Sequence, residues 1–338
     1  MAKPTIIVIG AGVAGLTCAL ELAERGLAVE VVERGHTLGE GSCSWMAGGM
    51  LAPWCERATT EPEVAEWGAP SIAWWAEHFP ETVRQGSLVV AQARDLADLM
   101  RFAQRTERFE WLDADRIAEL EPDLGGRFRR ALFFADEAHL DPRRALAALA
   151  QRLHDRGIAI RFGVELAPRD ARADIVVDCR GFAARDVLPD LRGVRGEMVV
   201  VRSPDVSLQR PVRLLHPRLP LYIVPRGNGL FMIGATMIES ERRGPVSVRS
   251  AVELLNAAYS LHPAFGEAEI VELGADLRPA FADNLPDLRR SGHVLHANGL
   301  FRHGFLLAPA LARRVAETTL SMLQPETIHA DLPQRRRA

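Results

Sequence analysis

The segment that most restricts the fold is TIIVIGAGVAG, from Thr5 to Gly15. An apolar, β-branched run stops at a glycine and gives way to a helical apolar pattern, which predicts a buried parallel strand, a tight turn and a helix. Gly10, Gly12 and Gly15 form GxGxxG, with Val13 and Ala14 opening the helix. The first glycine allows the turn, the second lets backbone approach a pyrophosphate, and the third lets helix pack on strand. The helix N-terminus contributes unpaired N–H groups and the positive end of its dipole. A second strand, LAVEVVE, ends at Glu33, whose carboxylate can hold ribose hydroxyls. Arg34 follows and could meet a 2′-phosphate, but Glu33 beside it argues against NADP. The stretch therefore predicts a dinucleotide-binding sheet and leaves NAD and FAD both open.

The rest of the chain is long enough, at 338 residues, for about two domains. A formal charge of -3 gives no electrostatic reason to expect nucleic acid or anionic membrane as partner, and the basic tail Arg335, Arg336 and Arg337 reads as a solvated terminus. Lys3 is the only lysine, which excludes a pocket Schiff base. Cys18, Cys43, Cys55 and Cys179 show neither CxxC nor zinc-like spacing, so no metal is expected and they read as free thiols in a reducing cytoplasm. The apolar start is broken by glycines and runs into a helix, unlike a signal peptide. No apolar run reaches the roughly 18 residues of a membrane span.

Along the chain, residues 62–79 read as one helix carrying Trp67, Trp74 and Trp75. SLVVAQ reads as a strand, and Asp113 as the cap of a short helix through Leu120. DPRRALAALAQRLHDRG has a capping Asp141, Pro142 at the first position and a terminating glycine, all helix signals. IAIRF and ADIVVDCRG follow as strands. From about Arg195 the texture changes to GEMVVVRS, VRLLH, LYIVPR, LFMIGAT and EIVELGADLRP, strands punctuated by Pro and Gly as in an antiparallel sheet. The helix SVRSAVELLNAAYSLH interrupts them, before a short strand HVLHAN and a last helix near Gly304. The expectation is an α/β fold: a Rossmann-type dinucleotide-binding domain built from 1–82, 137–190 and 285–338, with an inserted, largely antiparallel β-sheet substrate domain from 83–136 and 191–284.

A second cluster, GEGSCSWMAGGMLAP, packs small residues and hydroxyls just after the ribose carboxylate, where backbone N–H groups and serines can line an extended polar ligand. Together with GAGVAG and Glu33, RGEMV, YIVPR, IGATM, LRP and FRHGFLLAP, it resembles the FAD-dependent amine oxidases of the D-amino-acid oxidase superfamily. Within these it is most similar to the glycine oxidases of thiamine biosynthesis. The motifs run from one end of the chain to the other, and their order is far more specific than GxGxxG alone.

The resemblance implies non-covalent FAD. Its adenine would lie near Glu33 and Val164, its pyrophosphate at Gly12 to Gly15, and its ring system near Ser44, Ala47, Gly48, Gly49 and Met50, with Ser42 also binding the cofactor. The last helix (His303, Gly304, Phe305, Leu306) would aim its N-terminus at the flavin pyrimidine ring. It also implies that Arg302, Arg278 and Tyr222 bind a substrate carboxylate, with Met237 as pocket wall. Arg302 stands first on physical grounds, since a buried guanidinium must find an anion; an ion pair with a protein carboxylate is the competing reading. His303 departs from the asparagine common in that family and reads as a structural histidine. The implied reaction is oxidative deamination of glycine or a similar small amino acid or amine, hydride passing to flavin N5 and O2 becoming H2O2, with the imine supplied to thiazole synthesis. Alternatives are a D-amino-acid dehydrogenase serving a quinone or partner subunit, and a non-catalytic FAD-containing subunit. A homo-oligomer is compatible with either.

Overall fold

The computed structural model describes residues 4–216 and 221–324; Lys3 and the basic tail Arg335 to Arg337 lie outside them. The opening strand, Thr5–Ile9, is almost wholly buried and lies in the interior of a six-stranded sheet. It pairs in parallel with Ala28–Val32 on one side and Ile175–Asp178 on the other. Ile160–Arg161 extends the sheet beyond Ala28–Val32, and Val294–Asn298 extends it beyond Ile175–Asp178, again in parallel. Only the outermost strand, Asp287–Ser291, is antiparallel, because a tight hairpin joins it to Val294–Asn298. Helices Val13–Glu24, Pro142–Asp155 and Gly304–Leu323 pack together on this sheet, and their apolar faces form the largest core.

The second sheet has nine strands, drawn from 87–134 and 192–280. Its longest pair runs antiparallel between Arg192–Arg202 and Glu269–Ala280. One departure from an antiparallel pattern is Val212–Leu215, which lies parallel to Ser87–Ala91. The helix Val248–Leu261 covers this sheet and buries Leu254, Ala257, Ala258 and Leu261 in a separate core. A short ribbon pairs Met50–Leu51 with Ala138–His139.

The cap signals act as the residue types require. Asp141 accepts from the N–H groups of Arg143 and Arg144, Asp113 from that of Arg116 and Ser247 from that of Ser250, each satisfying donors a first turn leaves unpaired. Residues 62–79, expected as one helix, form two, Pro62–Gly68 and Ser71–His78. Pro70 has no N–H with which to continue the ladder and ends the first helix just before it.

Candidate active site

A cavity of about 480 Å³ runs from the glycine-rich turn of the first sheet to the face of the second, within the ordinary range for a cofactor or ligand site. At its first end Gly10, Gly12, Val13 and Ala14 form the wall. Gly15 stands behind it: a Cβ there would lie 1.7 Å from the Gly10 carbonyl oxygen, so glycine is what brings the helix onto the strand. Glu33 accepts the Ala11 N–H at 2.7 Å and the Gly35 N–H at 2.8 Å, which turns its carboxylate back over the loop. Arg34 and Val164 also line this end, Val164 tied through its N–H to the Glu33 carbonyl.

The serine loop closes over the turn. Ser44 Oγ accepts the Val13 N–H at 3.1 Å, and a Cβ on Gly12 would come within 3.1 Å of Ser42 Oγ and 3.4 Å of Ser44 Oγ. The space a side chain would fill is thus a cradle of N–H and hydroxyl groups at a helix N-terminus, which fits the diphosphate of FAD. Ala47 and Gly48 carry the wall onward. Their carbonyls accept from Arg226, at 2.9 Å each, and so does that of Leu140 at 2.6 Å. Burial pushes this arginine down to about 10, still a cation at neutral pH. The YIVPR strand therefore holds the loop in place through its arginine.

At the far end the last helix presents Gly304 and Phe305 to the cavity. No side chain caps it, so its first N–H groups remain available to negative charge. Pro309 lies inside this helix and cannot bond the Phe305 carbonyl, which instead accepts the Trp75 indole N–H at 2.6 Å.

Arg278 and Tyr222 meet here. Arg278 is next but one to Asp276 along its strand, and both face the cavity. The Arg278 guanidinium donates to the Thr236 carbonyl at 2.9 Å, and among the described residues it makes no ion pair. Burial depresses its pKa, and the nearby Tyr222 and Cys43 oppose that shift. Two glycines admit these side chains: a Cβ on Gly196 would strike the Arg278 guanidinium at 2.2 Å, and one on Gly48 would strike the Tyr222 ring at 2.7 Å. The RGEMV and MAGGM motifs thus owe a glycine each to this corner.

Arg302 lines the same cavity, but two of its three nitrogens already have partners. One terminal nitrogen donates to Glu56 Oε2 at 2.5 Å and to Thr59 Oγ1 at 2.8 Å, and Nε lies 3.4 Å from His303 Nε2. The ion-pair reading of Arg302 is the one observed, whereas Arg278 makes no ion pair among the described residues. The loop reaches this position because the Phe301 N–H bonds the Pro279 carbonyl at 2.9 Å, with Phe301 in the left-handed region at φ 47°.

Besides Gly15, five expected site residues lie off the cavity wall. Met237 is 58% exposed, lying between the strands Leu230–Gly234 and Ile238–Glu239, while its neighbour Thr236 is buried. His303 is buried and faces the Arg302–Glu56 pair; burial pushes it down to about 4 despite Glu56, so it is neutral at pH 7. Leu306 fills the space left by Gly68 in the main core. Gly49 packs against Leu140 and Pro142, and Met50 joins the adjoining core as part of the short ribbon.

Three contributors escaped the sequence reading. Asp178, at the end of the ADIVVDCRG strand, is fully buried and pairs with Arg180 at 2.9 Å and with His296 Nδ1 at 2.9 Å; Arg180 forms cavity wall. Its signal is an acidic residue closing an apolar strand. Cys43 also lines the cavity, its thiol pushed up to about 12 by burial and Asp276, so it is no nucleophile at neutral pH. Glu56 has no local signal.

A phosphate cradle under a six-stranded sheet, opening on an arginine and a tyrosine from an antiparallel sheet, defines a nucleotide-dependent oxidoreductase site. The chain belongs to the DAO family of FAD-dependent oxidoreductases, whose model matches residues 5–318. It is 57% identical, over 95% of its length and 98% of the relative's, to a Rhizobium etli protein that carries the provisional name thiamine biosynthesis oxidoreductase ThiO. It is 28% identical to glycine oxidase of Bacillus licheniformis, over 98% and 97% of the two chains. The crystal structure of glycine oxidase from Geobacillus kaustophilus superimposes with a TM-score of 0.81 at 26% identity, covering 94% of this chain and 95% of that one. Among the described residues, no helix is long and apolar enough to cross a membrane.

Proposed function

We infer that this protein is an FAD-dependent amino acid oxidase acting on glycine or a comparably small amine, and that its imine product serves thiazole formation in thiamine synthesis. The observation that carries the reading is Arg278: a half-buried guanidinium that has no carboxylate partner among the described residues and faces a cavity that also holds a diphosphate cradle. Such a group needs an anion, and an amino acid's carboxylate meets its fork geometry. Tyr222 supplies a hydroxyl to the same carboxylate, and Arg302 adds positive charge from the neighbouring loop.

FAD, when bound, supplies the hydride acceptor and returns electrons to O2 as peroxide. Gly10, Gly12, Ser42, Ser44 and Glu33 would hold it. The protein's own part is positional. Arg278 and Tyr222 fix one end of the substrate and so orient its α-carbon toward the last helix, whose free N–H groups favour negative charge beside them. We take residues 1–82, 137–190 and 285–338 as the cofactor module and 83–136 and 191–284 as the substrate module.

The test is anaerobic mixing of the FAD-loaded protein with glycine, sarcosine and D-alanine, followed by air. Loss of the oxidised flavin absorbance and then stoichiometric peroxide are expected. Arg278→Lys, which loses the fork, should raise KM at least tenfold with a smaller change in kcat. Flavin that no small amino acid reduces would overturn the reading, and reduced flavin that persists in air would favour a dehydrogenase.

A further inference from the structure

Glu56 sits at the end of the short helix Pro53–Arg57 and bridges two guanidiniums. One carboxylate oxygen accepts from Arg213, the other from Arg302 at 2.5 Å. Its side chain is 12% exposed and that of Arg213 9%, so the pair is screened weakly by solvent. Burial alone would raise this carboxyl, but Arg213, Arg302 and His303 outweigh it and hold Glu56 well below the usual carboxylate range. Thr59, two residues beyond the same helix end, accepts from the same Arg302 nitrogen at 2.8 Å. The result is a cavity end lined by two guanidiniums, Arg278 without an ion pair among the described residues and Arg302 tied to Glu56. Their spacing is held by the Phe301–Pro279 backbone bond.

We propose that Glu56 is a specificity-determining, positioning residue: by occupying Arg302 it limits the pocket to substrates with one anionic group and rejects amines that carry two. A second carboxylate or a phosphonate reaching Arg302 would have to displace Glu56 or lie against it, and like charges at that range repel. A single carboxylate on Arg278 meets no such obstacle. Removing the Glu56 charge frees the Arg302 fork for a second anion.

The inference rests on the amino-acid-oxidase reading only for the choice of probes. FAD-loaded wild type, Glu56→Gln, Glu56→Ala, Glu56→Asp and the double variant Glu56→Gln/Arg302→Gln are titrated with acetate and with malonate, followed by perturbation of the flavin spectrum. KM and kcat are then compared for glycine and iminodiacetate. In Glu56→Gln and Glu56→Ala the preference for malonate over acetate rises at least tenfold, and the iminodiacetate-to-glycine ratio of kcat/KM rises equally, mainly through KM. Glu56→Asp, which keeps the charge, stays near the wild-type ratio, and the double variant loses the gain. An unchanged ratio in a charge-removing variant that still binds FAD overturns the proposal, as does a gain that survives loss of Arg302. Wild type that binds no acetate and is not reduced by glycine would instead overturn the oxidase reading itself.

Discussion

Glu137 shows what a single buried carboxyl does in this chain. It is 1% exposed, accepts the Cys55 N–H at 2.7 Å, and also takes the Ser87 hydroxyl. Burial is the dominant influence and pushes it up to about 8, against the pull of Ser87, Cys55 and Arg213. In the unfolded chain the same group titrates near 4.3. Between those values the unfolded chain has released a proton that the folded chain retains. The folded state then binds more protons, and stability falls as pH rises. The contribution is complete below the unfolded pKa and lost as pH rises through about 8. Glu137→Gln keeps the shape and both hydrogen-bond positions while abolishing the titration. Thermal unfolding of the holoprotein should therefore show the variant gaining a few degrees on wild type between pH 5 and pH 8. A difference that stays constant over that interval would show that Glu137 titrates normally. Neither Glu137 nor Glu56 was legible beforehand: one of 44 acidic residues looks like another until the fold decides which are buried. Arg278 and Tyr222 were legible, because they sit in ordered motifs. The ion pair of Arg302 was not legible, because its partner Glu56 lies 246 residues away.

Elements were more readable than their partners. Caps and glycine turns are local, so Asp113, Asp141 and the GxGxxG helix declared themselves within a few residues, whereas sheet order and helix contacts depend on distant segments. The last helix makes the contrast plain. A proline in the interior of a helix removes one hydrogen bond and orphans the carbonyl four residues back. Pro309 orphans Phe305, and the partner that satisfies it, Trp75, is 230 residues away. The position of the proline is visible in the sequence; its remedy is not. Trp75→Phe would leave that carbonyl buried and unpaired, at a cost of about 1–3 kcal/mol beyond the lost indole packing. Pro309→Ala restores an N–H able to close the helical bond. The two changes should therefore be coupled: the loss caused by Trp75→Phe is smaller by about 1 kcal/mol or more when residue 309 is alanine. Denaturant unfolding of the four holoproteins measures this cycle, and strict additivity would show that the indole bond carries no weight.

At the scale of the molecule the cavity is the junction between two sheets with separate cores. Its walls come from the glycine turn and last helix on one side and from the strands of Tyr222 and Arg278 on the other. A cofactor that fills it touches both, so its binding energy adds to the folding of each. A ligand that binds only the folded state stabilises it by about 2.7 kcal/mol at a free concentration one hundred times its Kd, with a further 1.4 kcal/mol for each tenfold rise. Stripping FAD should lower Tm by several degrees, and titrating it back should raise Tm in proportion to the logarithm of free FAD. Because Glu33 belongs to the cofactor end alone, Glu33→Ala should shift that titration to higher FAD while leaving the acetate affinity of the saturated protein nearly unchanged. Scanning calorimetry on apo and FAD-titrated protein, with acetate titrations at saturation, separates the two ends of the cavity. A Tm indifferent to FAD would mean that the cofactor does not join the two sheets. A loss of acetate affinity in saturated Glu33→Ala would mean that the two ends of the cavity do not act independently.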